Sequence, residues 1–168
     1  ISISADGEYI AAGSGSEEDS KVYIFDKDSS TPLWSYEAED TVHSIAISAD
    51  GEYIVAGSGD DKVYLFDKDS STPLWSYDTG LNLDTVAISA DGEYIAIGGK
   101  NRKVSLFERS DDEPLWTTAT QSGYVAAGAI SEKGTHIVTG ARAVGGGRAS
   151  LFITPGAGEW EWYSPWPL

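Results

Sequence analysis

Residues 48–54 read Ser-Ala-Asp-Gly-Glu-Tyr-Ile, and the same seven residues stand unchanged at 4–10 and 89–95. A degenerate fourth copy runs from Ser131 to Ile137, so that successive copies begin 44, 41 and 42 residues apart. A constant period of about 20 to 50 residues is the sequence signature of repeat architectures. The chain is therefore predicted to be a tandem array of four structural repeats.

Each copy is followed by the same landmarks. An apolar run ends in phenylalanine at Phe25, Phe66, Phe107 and, more loosely, Phe152. A Pro-Leu-Trp tripeptide follows in the first three copies, at residues 32–34, 73–75 and 114–116. We predict that these rings pack between repeats, because large aromatic side chains at one position of every repeat maintain the repeat itself.

The second copy shows the expected secondary structure in detail. Strands are predicted from Val42 to Ser48 and from Glu52 to Gly57, on either side of an Ala-Asp-Gly turn whose glycine supplies a positive φ. A third strand, Lys62 to Asp67, alternates its side chains between two faces. A fourth is expected to open at Pro73 and reach Tyr77, at a sheet edge because proline donates no ladder hydrogen bond. No window has helical spacing.

A four-stranded meander repeated about every 40 residues is typical of β-propeller blades, whereas the coils of an all-β solenoid are shorter. We predict an all-β, single-domain propeller with four blades at about residues 1–38, 39–80, 81–120 and 121–168. Because one blade cannot cover both of its faces, an open stack would expose apolar surface. Three arrangements stay open: a ring completed by a second copy, a ring completed by further chain, and closure of the four blades alone.

The composition and net charge of the chain disfavour several classes of partner and of functional site. The 27 acidic and 11 basic residues give a net charge of -16, which disfavours nucleic acid and anionic membrane surfaces as partners. No apolar run reaches the ~20 residues of a membrane span. The absence of cysteine removes disulfides, thiolate metal sites and cysteine nucleophiles. The chain lacks methionine and begins inside a repeat, so we expect it to be part of a longer protein. Its compartment stays open, with an extracytoplasmic or cell-surface location favoured.

Residues 42–58, continued by Val-Tyr-Leu-Phe-Asp at 63–67, resemble a WD-repeat blade, with Phe66 where that family usually has tryptophan. The Pro-Leu-Trp element is similar to the blades of quinoprotein dehydrogenases, which bind pyrroloquinoline quinone. The resemblance implies a propeller and a platform for protein interaction. It also implies an aspartate in the turn between the second and third strands, matched by Asp60 and Asp19. The family's histidine ahead of the first strand is replaced by Ala38, so the usual His-to-Asp hydrogen-bond network is not expected.

Enzymatic activity is not expected. No Gly-x-Ser-x-Gly motif stands between a strand and a helix, and His43 and His136 occupy different repeat positions, which argues against a catalytic or metal-binding pair. The glycine run 145–147 lacks the Lys-Ser/Thr of a phosphate-binding loop and is interpreted as a widened turn. No cofactor is expected from these motifs.

Calcium is the one metal for which the sequence offers candidates. The run Asp-Lys-Asp-Ser-Ser-Thr occurs at residues 26–31 and 67–72, so Asp26, Asp28, Asp67 and Asp69 alternate as oxygen donors. The same residue types are ordinary in hairpin turns, where their side chains bond the local backbone. We favour the turn interpretation.

Differences between repeats indicate where a partner would bind. The turn between the second and third strands carries an acidic insertion in the first copy, residues 16–20, and basic residues in the third and fourth. Because such turns gather at one end of a propeller, they form a charge gradient that a protein could recognise. The candidate partner-binding residues are Lys100, Arg102, Lys103, Arg142, Arg148 and, in the aromatic C-terminal segment, Trp166.

The sequence thus favours a non-enzymatic binding or scaffolding module that engages a protein partner or self-associates. A structural component of a cell-surface layer or filament is the first alternative, and a fragment of a quinoprotein-like enzyme is the second. The partner and the total number of blades stay open.

Overall fold

The computed structural model describes residues 1–15, 19–80, 82–120, 123–142, 148–153 and 161–163, with only the backbone described for Arg148 and residues 161–163. Within these ranges every regular element is a β-strand. The first sheet comprises β1 (Ser2–Ile3), β2 (Tyr9–Gly13), β3 (Lys21–Asp26) and β4 (Trp34–Glu37). The second comprises β5 (Val42–Ile47), β6 (Tyr53–Ser58), β7 (Lys62–Asp67) and β8 (Trp75–Asp78). The third comprises β9 (Leu83–Ile88), β10 (Tyr94–Gly99), β11 (Lys103–Glu108) and β12 (Pro114–Ala119). The fourth comprises β13 (Tyr124–Ile130), β14 (His136–Arg142), β15 (Arg148–Ile153) and β16 (Glu161–Tyr163).

Each sheet is an antiparallel meander in which the strands pair in chain order. The first strands of successive sheets contact one another and so lie toward a common axis, while the fourth strands form the outer edges. These four sheets confirm the predicted all-β fold of four-stranded blades. The described residues contain no helix of the length and apolar character that a membrane span requires.

The blades are joined by apolar packing between their faces. On β7, Tyr64 and Phe66 are buried against the first blade, whereas Val63 and Leu65 are buried against the third. The predicted alternation of this strand is therefore confirmed, and both faces of the second blade are covered. Successive side chains along a strand point to opposite faces, which is why one strand can contribute to two interfaces.

The aromatic rings lie at the interfaces, as predicted. The ring centroids of Trp34 and Phe66 are 5.3 Å apart, and those of Trp75 and Phe107 are 5.6 Å apart. Each of these indoles also donates a hydrogen bond to a carbonyl of the next blade, Trp34 to Lys68 at 2.6 Å and Trp75 to Arg109 at 2.8 Å. The same contact geometry is thus used at successive interfaces.

The outer strand of the second blade begins later than the sequence suggested. β8 starts at Trp75 rather than at Pro73, although the Leu74 amide still donates to the Leu65 carbonyl at 2.7 Å. Proline cannot make this ladder bond, so regular pairing starts only beyond it. In the third blade the strand does include its proline, because Pro114 lies opposite Phe107 after an irregularity in the register.

Candidate functional site

A β-bulge recurs near the start of the first strand in three blades. The register of β5 with β6 skips His43, that of β9 with β10 skips Asp84, and that of β13 with β14 skips Ala126. The three residues occupy the same repeat position, one residue after Val42, Leu83 and Val125. A bulge leaves one residue out of the ladder and re-aims its side chain.

These three bulge residues line one cavity of about 400 Å³ together with Lys100, Tyr124 and Arg142. Lys100 comes from the turn after β10, and Arg142 ends β14 opposite Tyr124. All six residues therefore lie where first strands begin and second strands end, at one end of the propeller axis. We refer to this space as the axial cavity.

The axial cavity carries charges that form no ion pair with any described residue. In the part of the chain that the structure describes, neither the Asp84 carboxylate nor the Arg142 guanidinium makes a side-chain hydrogen bond or an ion pair. The Lys100 ammonium bonds the side-chain carbonyl of Asn82 at 3.2 Å, and the Asn82 amide in turn donates to the Gly59 carbonyl at 2.6 Å. Lys100 is thereby held at the rim, with a neutral partner.

The predicted partner-binding residues are distributed unequally. Lys100 and Arg142, which belong to different blades, both line the axial cavity, whereas Arg102 and Lys103 do not. The Arg102 carbonyl accepts bonds from the Thr120 amide and hydroxyl, at 2.7 and 3.0 Å, and Arg102 itself has a left-handed backbone with a φ of 60°. The side chain of Arg148 and all of Trp166 lie outside the described residues.

The candidate calcium loops use their carboxylates locally. Asp26 Oδ1 accepts the Asp28 amide, and Asp67 Oδ1 accepts the Asp69 amide, each at 2.9 Å. Asp28 and Asp69 are further paired with the lysines that precede them. Among the described residues no cluster of three or more His, Cys, Asp or Glu has metal-binding geometry. Calcium binding by these loops stays a prediction.

Sequence reasoning identified Lys100 and Arg142 but missed Asp84, Tyr124 and Ala126, and it set His43 aside as a lone histidine. The missed signal is a single repeat position that reads His, Asp and Ala in strands that are otherwise built from equivalent residues. Comparing the residue at this repeat position in successive copies, instead of comparing His43 with His136, would have identified the position.

The known proteins offer one family match. The model of the WD40 family, described as WD domain, G-beta repeat, matches residues 30–67. The matched segment starts just before β4 and ends with β7, so it contains the outer strand of one blade and the first three strands of the next. No curated protein matches the chain. WD40 repeats act in general as scaffolds for protein interaction. The four four-stranded sheets and this one matched repeat together fit a WD-like β-propeller.

Proposed function

We propose that the chain is a non-enzymatic binding module that takes an acidic segment of a protein partner into the axial cavity. The observation that carries the proposal is the convergence of Lys100 and Arg142, from two different blades, on a cavity that three bulge residues also line. The described geometry supplies binding groups there, and WD40 repeats are typical of non-enzymatic proteins.

The charge of the cavity decides the class of ligand. Lys100 and Arg142 against Asp84 leave a local excess of positive charge, although the whole chain carries a net charge of -16. At physiological ionic strength the Debye length is about 8 Å, so distant acidic side chains are largely screened, whereas the cavity cations lie within that distance of a ligand in the cavity. A carboxylate that enters the cavity is therefore attracted by near charges.

Arg142 is suited to orient such a carboxylate. Its guanidinium offers donors in a planar fork that matches both oxygens of one carboxylate, and such paired bonds are stronger than neutral ones. Because the side chain has no partner among the described residues, binding does not require an internal ion pair to break first. Tyr124, which is about half exposed at the rim, adds an aromatic surface of the kind enriched at protein interfaces.

A displayed library of random ten-residue peptides tests this assignment. We expect the peptides selected on the wild-type protein to be enriched in Asp and Glu, and their affinity to fall at high salt. The double variant Lys100→Ala/Arg142→Ala should bind the selected peptides at least about tenfold more weakly, because each lost charge-assisted bond is worth on the order of 1.5–3 kcal/mol.

Lys133→Ala is the matched control. Lys133 lies in the turn between β13 and β14, at the opposite end of the axis, so its removal changes the net charge by the same sign without touching the cavity. Selection of peptides without acidic enrichment, or an equal loss in the control and in the cavity variant, would contradict the proposal.

A further inference from the structure

The loop between the third and fourth strands changes its chemical character from one blade to the next. It reads Asp-Lys-Asp-Ser-Ser-Thr at residues 26–31 and again at 67–72, whereas the third blade has Glu-Arg-Ser-Asp-Asp-Glu at 108–113. In all three blades Pro-Leu-Trp follows. Three consecutive hydroxyl residues in the first two blades are therefore replaced by three carboxylates in the third.

The loop keeps one backbone hydrogen bond despite this replacement. In the second blade the Thr72 amide donates to Ser70 Oγ at 3.1 Å, and the first blade makes the same bond at 3.0 Å. In the third blade the Glu113 amide donates to Asp111 Oδ1 at 3.1 Å. A carboxylate thus takes over the acceptor role of the hydroxyl, and the turn accommodates the added negative charge.

The hydroxyl groups of this loop have different roles. Ser29 and Ser70 use theirs within the turn, where each hydroxyl donates to the carbonyl of the threonine two residues later, at 2.9 and 3.4 Å. Thr31 and Thr72 are exposed, and their hydroxyls have no hydrogen-bond partner in the part of the chain that the structure describes. The two threonine hydroxyls are therefore not needed to form the loop.

The proline after each threonine determines how the threonine is presented. Pro73 restricts Thr72 to extended backbone and donates no amide hydrogen bond. The chain is tied to the sheet again at Leu74, whose amide donates to the Leu65 carbonyl at 2.7 Å while its side chain stays 52% exposed. The first blade repeats this arrangement. Each threonine thus stands in an exposed loop segment that an enzyme reaches without unfolding the blade.

We propose that Thr31 and Thr72 are phosphorylation sites for a proline-directed protein kinase. The threonine Oγ1 attacks the γ-phosphorus of Mg²⁺-bound ATP, the bond from that phosphorus to the bridging oxygen breaks, ADP leaves, and the hydroxyl proton passes to the catalytic aspartate of the kinase. The proposal does not depend on the function proposed for the axial cavity. These loops follow the third strands and lie at the opposite end of the blades, because first and third strands run in the same direction.

The third blade shows the charge that a phosphorylated loop has. Residues 26–31 and 67–72 each hold two carboxylates, and a phosphate adds about 1.5 to 2 negative charges at neutral pH. The total is close to that of the four carboxylates in residues 108–113, and each of the three loops holds one cation. Phosphorylation therefore brings the first two blades to the charge that the third carries permanently. An O-linked neutral sugar would occupy the same hydroxyl without this effect.

Mass spectrometry of the protein isolated from the cells that make it tests the assignment. We expect the peptides that contain Thr31 or Thr72 to carry one HPO₃ group each, placed on the threonine by fragmentation and removed by a phosphatase. The exposed serines Ser30 and Ser71, which no proline follows, are the internal controls and should stay unmodified. Unmodified peptides, a hexose in place of the phosphate, or phosphate on the two serines alone would overturn the proposal.

A reaction of the purified chain with Mg²⁺, ATP and a proline-directed kinase provides a second measurement. Thr31→Val/Thr72→Val should abolish phosphate incorporation, whereas the matched control Ser30→Ala/Ser71→Ala should leave it unchanged. Pro32→Ala/Pro73→Ala should lower the rate at least about tenfold, because the preceding threonine loses its restriction to extended backbone. Equal incorporation into the threonine and serine variants would contradict the assignment.

Discussion

The hydroxyl of Tyr64 donates a 2.6 Å hydrogen bond to Oδ2 of Asp60, in the turn between the second and third strands of the second blade. The other oxygen of this carboxylate accepts the Lys62 amide at 3.0 Å, and Oδ2 also accepts the Glu39 amide at 3.2 Å. Asp60 thus ties the turn to the segment that enters from the first blade. The resemblance to WD repeats implied an aspartate here and an absent histidine partner. A tyrosine from the neighbouring strand makes the bond instead.

Tyr64→Phe is expected to destabilise the protein by about 2 kcal/mol, because a hydrogen bond to a charged acceptor is worth about 1.5–3 kcal/mol. Tyr23→Phe is the matched comparison, since Tyr23 bonds Asp19 at 2.9 Å in the first blade but is only half-buried. We expect a smaller loss there, below about 1 kcal/mol, because water can replace the lost donor. Urea denaturation followed by tryptophan fluorescence gives both values, and equal losses would contradict this explanation.

The same bond makes stability sensitive to alkaline pH. Burial, and then the hydrogen bond to Asp60, raise the pKa of Tyr64 above its ordinary value of 10.0. The folded protein therefore keeps this proton at a pH where the unfolded chain releases it. The contribution is fully present below about pH 10 and is lost as the pH rises further, by up to about 1.4 kcal/mol per pH unit.

This pH dependence is checked by comparing the wild type with Tyr64→Phe at pH 8, 10 and 11. The difference in free energy of unfolding between them should stay constant up to about pH 10 and then shrink. Two curves that stay parallel up to pH 11 would show that Tyr64 ionises alike in the folded and unfolded chains.

The fold was predictable from the sequence because the same pattern of strand and turn residues occurs in four successive repeats. The alternation from Val63 to Phe66 defines the two faces of a strand, and the glycine at each hairpin turn marks where a strand ends.

The axial cavity was only partly predictable. Lys100 and Arg142 stood out because they differ from the acidic first copy. The bulge at Asp84 did not, since a bulge is defined by the pairing of one strand with its neighbour, and its position shows in the sequence only when the same position is compared between copies.

Trp75→Phe separates the hydrogen bond at a blade interface from the packing. Phenylalanine keeps an aromatic ring near Phe107 but removes the donor to the Arg109 carbonyl, so we expect a loss of about 1 kcal/mol or somewhat more. Leu74→Ala, next to it and half exposed, should cost less than about 0.5 kcal/mol. Thermal and urea denaturation of the two variants measure the contrast. Equal stability would mean that the indole bond adds nothing to the interface.

The turn glycines allow backbone strain to be separated from ring packing. Gly92 has a φ of +72°, and an added Cβ would lie 2.7 Å from the Tyr53 ring, whereas Gly7 has a φ of +75° and open space around it. An alanine costs about 1–2 kcal/mol at either site for the left-handed backbone alone. At Gly92 it must also displace the ring, which adds about 1–3 kcal/mol.

We therefore expect Gly92→Ala to be more destabilising than Gly7→Ala by about 1–3 kcal/mol. Chemical denaturation at micromolar concentration gives the difference. A Gly7→Ala loss as large as that of Gly92→Ala would show that the glycine is required for the turn alone, and that the ring of the preceding blade imposes no steric demand.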